Sequence, residues 1–200
     1  MPITLPIPRQ PQRATPRLMN MGAWQSGGAD QFVERLGTRW ALDVVLPSLK
    51  PEPDGRIFGA ALARAHAAGD SAIWPWPQPG LELGTPGTPL VNGAGQAGRT
   101  LVCDGFTAGF VMRAGRFFNV IISGRRYLYQ MAADATANGS GGVSLPLTTM
   151  LRAPPGDNAV IDVATPVIEG RLKGHAAQWT LAAYRTAPIS FSIEELGDDA

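Results

Sequence analysis

From Arg99 to Leu196 the chain is cut into short apolar runs separated by glycine, proline and Asn/Asp turns. RTLVCDG, RFFNVIIS, RRYLYQMAA, GGVSLPLTTML, NAVIDVA, PVIEGRL, AQWTLAAY and ISFSIEEL follow one another in order. Much of this stretch is spaced at roughly 8–12 residues per run, the spacing of a β-barrel or β-sandwich. Ser123-Gly124 joins two of the runs and predicts a tight hairpin. On its arms Phe118, Val120 and Ile122 share one face, and Tyr127, Tyr129 and Met131 share another. Asp104-Gly105 ends the strand before them as a turn signal. In the next run Val143, Leu145 and Leu147 alternate, while Pro146 points the other way. Proline has no N–H for a ladder, so this strand is expected at a sheet edge.

The first half is less regular. Residues 1–17 carry Pro2, Pro6, Pro8, Pro11 and Pro16 among Arg9, Arg13 and Arg17, so this arm is expected to be extended, either loose or ordered against a neighbouring subunit. RLMNMGAW (17–24) reads as a short strand ended by QSGG. Residues 31–49 read as one long strand bulged at Gly37, with Trp40, Leu42 and Val44 on one face. DGRIFGAALARAHAAGD is the one clear helix, about residues 54–68. Asp54 suits its N-cap and Gly69 its C′ position, and Ile57, Phe58, Ala61, Leu62 and Ala65 form its apolar stripe. His66 is expected as a surface histidine near the helix C-terminus.

Trp74 and Trp76 alternate with Pro75 and Pro77, which predicts an edge strand or a polyproline-like segment. Gly80 to Thr100 reads as a chain of turns or a linker, with a boundary near residue 95. Three modules are therefore expected. Residues 1–94 form a β module with the packed helix, 95–155 a smaller β subdomain that is an insertion or an appendage, and 156–200 return to complete the first. The expected class is mainly β: a β-barrel or sandwich module with one packed α-helix, plus a smaller β subdomain.

Bulk properties narrow the function. With charged residues at 16% and a net charge of +1, no general field draws the chain to nucleic acid or an anionic membrane, so neither partner is expected. One cysteine, Cys103, allows no intrachain disulfide, and two histidines with it are too few for a zinc site. No apolar run approaches ~20 residues, and the N-terminal residues lack a secretory h-region, so folding in a cytoplasm is expected.

Chemical motifs are sparse. Gly93, Gly95 and Gly98 make a loose G-x-G-x-x-G, but a strand-like run follows where a dinucleotide site needs a helix. Asp134, Thr136, Asn138 and Gly139 imitate the start of a calcium loop, but Leu145 stands where a bidentate glutamate is needed. Cys103 lies in an apolar strand pattern, and His175 has no acid placed to orient it. No metal, no cofactor and no catalytic residue is expected. Trp74 and Trp76 admit a second reading, a carbohydrate-binding β-module that stacks sugars on the two rings. A cell-wall hydrolase is a third class, without a residue to point to.

The order of the C-terminal runs carries a resemblance. VNGAGQAGRTLVCDGF leads to AGRFFNV, then to the glycine-cornered GRRYLYQMAADATANGSGGVSLPLTTMLRAPP, then to NAVIDVATPVIEGRLKG with a late Trp179. Earlier, GTRWALDVVLPSL followed by a helix also fits. Over roughly residues 18–185 this resembles the distal tail or minor tail proteins of long-tailed, non-contractile bacteriophages. The resemblance implies a structural virion protein without catalysis, assembled in the host cytoplasm into a ring, usually of about six copies, at the tail tip. It implies the tail tube protein and the tail hub or fibre proteins as partners. Trp74, Trp76, Tyr127, Tyr129 and Pro146 are then the expected interface residues.

Overall fold

The computed structural model describes residues 1–27, 30–67, 69–174, 184 and 187–197. In chain order the strands are β1 (Ile3–Thr4), β2 (Arg13–Met19), β3 (Ala23–Ser26), β4 (Asp30–Val33) and β5 (Arg39–Leu46). Helix α1 (Arg56–Ala67) follows, then β6 (Ala72–Pro75), β7 (Gly87–Val91), β8 (Thr100–Phe106), β9 (Val111–Met112), β10 (Phe117–Ile122) and β11 (Arg125–Gln130). The last strands are β12 (Ala135–Thr136), β13 (Val143–Pro146), β14 (Ile161–Asp162), β15 (Val167–Leu172) and β16 (Ile189–Glu195). The protein is mainly β, and its strands form several open sheets. Among the described residues no sheet closes on itself, so sandwich packing stands in place of a barrel. AQWTLAAY and His175 lie outside the described residues.

The chain gathers into two units. One comprises Met1–Leu18, Trp40–Trp74 and Ile168–Leu196; the other comprises Met19–Arg39, Pro75–Val167 and Gly197–Ala200. The chain passes from one unit to the other after Leu18, Arg39, Trp74, Val167 and Leu196, and not at 94/95 or 155/156. The glycine-rich stretch is the reason for the first difference. Gly87–Val91 is a strand that pairs with β8, so residues 80–100 are built into the second unit and do not link two bodies.

The first unit is a six-stranded sheet in the order β1-β6-β15-β16-β5-β2. Within it the pair β5–β16 is antiparallel, in register from Ile189 opposite Leu46 to Glu194 opposite Ala41. Trp40, Ala41, Leu42, Val44 and Leu46 are buried along β5. The long strand expected over residues 31–49 is two strands, because Gly37 sits at φ +101° in a turn between β4 and β5. β6 is an inner strand and not an edge: β1 pairs with it in parallel, Ile3 opposite Ala72. Pro75 is tolerated there because it is the last residue of the strand. The N-terminal arm is therefore ordered on its own chain, with Ile3 and Leu5 buried.

Helix α1 buries Phe58, Gly59, Leu62 and Ala65, an i, i+1, i+4, i+7 face. Ile57 was expected in this stripe and is half exposed, because the face turns toward Gly59 instead. A kinked turn over Pro51–Gly55 with a cis Glu52–Pro53 bond leads into the helix, and Asp54 lies inside that turn. Gly69 follows the helix at φ +63°, the left-handed conformation of a C′ residue. Phe58 meets Trp74 edge-on at 6.4 Å and Phe191 at 5.7 Å, and Trp74 meets Phe191 at 5.2 Å. Such aromatic pairs contribute about 0.5–1.5 kcal/mol each beyond area burial, so this triad is a principal tie between helix and sheet.

The second unit holds the sheets β11-β10-β14 and β13-β8-β7, the pair β12-β9 and the hairpin β3-β4. Leu101, Cys103 and Leu145 from one three-stranded sheet share a core with Phe118, Val120 and Tyr129 from the other. Antiparallel bridges Leu90–Val160 and Met131–Leu147 join the sheets at their margins. The opposite face of β10 is buried too. There Asn119 mimics a neighbouring strand, accepting from the Val167 N–H at 2.6 Å and donating to its carbonyl at 2.9 Å. The β10–β11 hairpin turns on Ser123 (φ 51°) and Gly124 (φ 80°). Two successive positive φ values are those of a type I′ turn, which gives the tight hairpin that the sequence predicts.

Candidate interaction surfaces

Four of the five expected interface residues lie in the core. Relative exposure is 2% for Trp74, 4% for Trp76, 7% for Tyr127 and 0% for Tyr129. None of them presents a ring face to a partner, and stacking a sugar on Trp74 and Trp76 is excluded in this conformation for the same reason. Trp74 belongs to the helix–sheet triad. Trp76 packs on Phe117 at 4.8 Å, and its backbone N–H donates to the Pro166 carbonyl at 2.8 Å. Tyr127 lies under the guanidinium groups of Arg125 and Arg152, at 4.6 and 5.0 Å. The Tyr129 hydroxyl accepts from the Arg152 N–H at 3.0 Å. The alternation that marks a surface stripe marks a core stripe equally well. Aromatic residues follow apolar area before they follow function.

Pro146 is the exception. It is half-buried on β13, the outer strand of its sheet, as expected of proline in a strand. The edge is nonetheless partly occupied within the chain: the Ala132 N–H donates to the Pro146 carbonyl at 2.9 Å, and Leu147 bridges Met131.

The exposed aromatic surface lies elsewhere, on the hairpin β3–β4. Its register places Trp24 directly opposite Phe32, between the pairs Ala23–Val33 and Gln25–Gln31. The rings touch at 5.2 Å between centroids, and Trp24 is 72% exposed. Phe32 lies across Gly22, so closely that a Cβ there would come within 2.3 Å of its ring. At the hairpin's base the Gly22 N–H donates to Asn20 Oδ1 at 2.9 Å, and the Met21 N–H donates to Thr38 Oγ1 at 3.2 Å. Glu34 is held by Arg99 through bonds of 2.6 and 3.1 Å. Leu36, just beyond, is also exposed. A two-stranded ribbon is marginal in water by itself, so a ribbon carrying an exposed Trp–Phe pair is suited to being covered. The sequence carries one signal for it, Trp24 standing directly before the turn-forming run QSGG.

Among the described residues the first unit also has an outer strand without a second neighbour. β2 ends the six-stranded sheet and carries Pro16 and the half-exposed Leu18. Arg17 on β2 donates to Asp43 at 2.7 Å and to Ser192 at 3.3 Å, which pins the strand to β5 and β16.

Groups with chemical potential are accounted for structurally. Cys103 is buried, and burial, helped by the charge of Asp104, pushes its thiol from 9.0 up to about 12. A protonated, enclosed thiol is no nucleophile. In the segment that imitates a calcium loop, Asn138 Oδ1 accepts from the N–H groups of Ser140 and Gly142 and from the Ser140 hydroxyl. Asp134 accepts from the Ala114 N–H at 2.7 Å, which holds its carboxyl below the usual range. These residues close turns. Among the described residues no group of three or more His, Cys, Asp or Glu side chains is placed to hold a metal. The chain matches no protein family and no curated protein with which it was compared.

Proposed function

We propose that this is a structural, non-catalytic protein of a phage tail tip that assembles with copies of itself. The tail assignment rests on the order of runs from Val91 to Trp179, which resembles distal tail proteins. The assembly reading is carried by one observation: the β3–β4 hairpin bears an exposed Trp24–Phe32 pair, whereas Trp40, Trp74 and Trp76 are buried. Large aromatic side chains at the centre of an interface supply much of its binding energy. The hairpin of one copy is the projection, and a different surface of the next copy receives it. Such a heterologous contact closes into a ring when its rotation permits. The outer strand β2 offers a second surface for a neighbour, through main-chain hydrogen bonds.

Light scattering and negative-stain imaging of the purified chain test this directly. Rings of about six copies are expected. A Trp24→Ser, Phe32→Ser variant should be monomeric, with a melting temperature close to that of the wild type. A wild type that stays monomeric at every concentration, or a double variant that still forms rings, counts against the reading.

A further inference from the structure

Among the described residues Arg116 is a buried cation without an acid beside it. It is 3% exposed in the turn between β9 and β10. Its backbone is held on both sides: its N–H donates to the Arg113 carbonyl at 3.1 Å, and its carbonyl accepts from the Met131 N–H at 2.9 Å. Nη2 donates to the Leu83 carbonyl at 3.0 Å, and the guanidinium lies over the Phe110 ring at 5.4 Å. Nε is buried and has no hydrogen-bond partner among the described residues. No carboxylate among them lies in ion-pair reach of this side chain. Burial lowers its pKa from the usual arginine range, but a guanidinium stays charged in a protein. A charge withdrawn from water and left unpaired is strongly unfavourable. The neighbouring Arg113 is different, being exposed and paired with Asp134 at 3.3 Å.

The residue lines a cleft of about 300 Å³ whose other walls include Leu81, Leu83, Phe110 and Val111, with the exposed Glu82 and Arg113 beside them. We propose that this cleft receives a carboxylate, the side chain of an aspartate or glutamate carried by another polypeptide. A guanidinium gives a carboxylate charge-assisted hydrogen bonds, which are stronger and shorter than those between neutral groups. The Leu83 carbonyl and the Phe110 ring fix the plane of the fork in advance. Apolar walls accommodate the methylene stem of the incoming side chain and exclude the water that would weaken the pair. Glu82 beside the cleft disfavours a doubly charged phosphate more than a singly charged carboxylate. The inference does not rest on ring formation, because the cleft lies wholly within the second unit of one chain.

The probe is a short fluorescein-labelled Gly/Glu peptide, followed by anisotropy at low salt, with a Gly/Gln peptide as control and inorganic phosphate as competitor. Saturable binding is expected, about tenfold or more tighter than the Gln peptide, and weakened about tenfold or more by Arg116→Lys, which keeps the charge and loses the fork. Hydrogen exchange on the wild-type chain keeps the proposal testable if that variant does not fold. Peptide should slow exchange at 81–84 and 110–116. Absence of saturable binding, equal binding by a folded lysine variant, a footprint elsewhere, or displacement of the peptide by phosphate at lower concentration would each overturn the proposal.

Discussion

At the scale of single residues, burial decides chemistry. Cys103 shows it most directly. Its thiol is raised from an ordinary 9.0 to about 12, first by desolvation and then by Asp104. The unfolded chain therefore ionises at lower pH than the folded one. The stability that depends on the protonated thiol is complete below pH 9.0 and is lost as pH climbs toward about 12, at about 1.4 kcal/mol per unit. Cys103→Val removes this dependence. Urea unfolding of both proteins between pH 8 and 10.5 should show the wild type losing about 2 kcal/mol relative to the variant. A pH-independent difference would mean that the thiol is hydrated in the folded chain. Below pH 8 a thiol reagent should react only after denaturant is added, because the side chain is enclosed. The sequence made Cys103 legible as a small hydrophobe from its place in RTLVCDG. It gave no such access to Arg116. An arginine beside two phenylalanines reads as a strand border, and its burial comes from Leu83 and Phe110, which are distant or turn residues that no local pattern ties to it.

At the scale of elements, the turn between β10 and β11 is legible in the sequence and sensitive to substitution at both of its positions. Both Ser123 and Gly124 have positive φ, which the type I′ turn requires and which a side chain at the second position resists. Gly124→Ala should cost about 1 kcal/mol or more, whereas Ser123→Asn, a residue that adopts this conformation more readily, should gain about 0.5 kcal/mol. Urea midpoints moving in opposite directions, with unchanged slopes, would check both together; a neutral Gly124→Ala would refute the turn assignment. A parallel pair tests the helix. Leu62→Ala should cost about 2–5 kcal/mol, because the side chain is buried against the sheet, and Ile57→Ala should cost less than about 1 kcal/mol. Period-2 alternation and turn chemistry made most strands legible, from β8 to β16, because each is a local property. The helix was legible in extent but not in its whole face, since Ile57 and Phe58 are equivalent in the pattern until a neighbour chooses one. The edges were not legible. Pro75 reads as an edge marker, yet β1 covers β6 by a parallel pairing between residues about 70 positions apart, which no window along the chain contains. The exposed hairpin is illegible for the complementary reason: among the described residues Trp24 is set apart from Trp40, Trp74 and Trp76 by its exposure, which tertiary packing decides and no local pattern encodes.

At the scale of the whole molecule, the two units differ in how much chain each must gather. The first draws its sheet from Met1–Leu18, Trp40–Trp74 and Ile168–Leu196, so strands adjacent in space are widely separated in sequence. The second takes its core from one continuous stretch: every residue of the shared core, from Val91 to Val163, lies between Pro75 and Val167. Contacts that close short loops form with a smaller entropic cost, so this stretch has what it needs to fold without the rest. The tryptophans supply a probe. Trp76 is the sole tryptophan between residues 75 and 167, and its packing partners Phe117 and Pro166 lie in the same stretch. A fragment of residues 75–167 should therefore show the blue-shifted emission of a buried indole and lose it in one cooperative urea transition. For a domain of this size a slope near 1 kcal/mol/M is expected. Emission already at the solvent value, or a gradual shift without a transition, would mean that the core depends on the flanking segments. The remaining segments, joined across the gap by a short flexible linker, test the converse. Their strands β5 and β16 keep their register only if Ile189–Glu195 finds Arg39–Leu46 without the second unit between them. If the fragment folds and the joined segments do not, the continuous unit is the independent one and orders the other during folding. If both fold, the architecture is two bodies threaded on one chain, and substitutions in one core should leave the unfolding midpoint of the other unchanged.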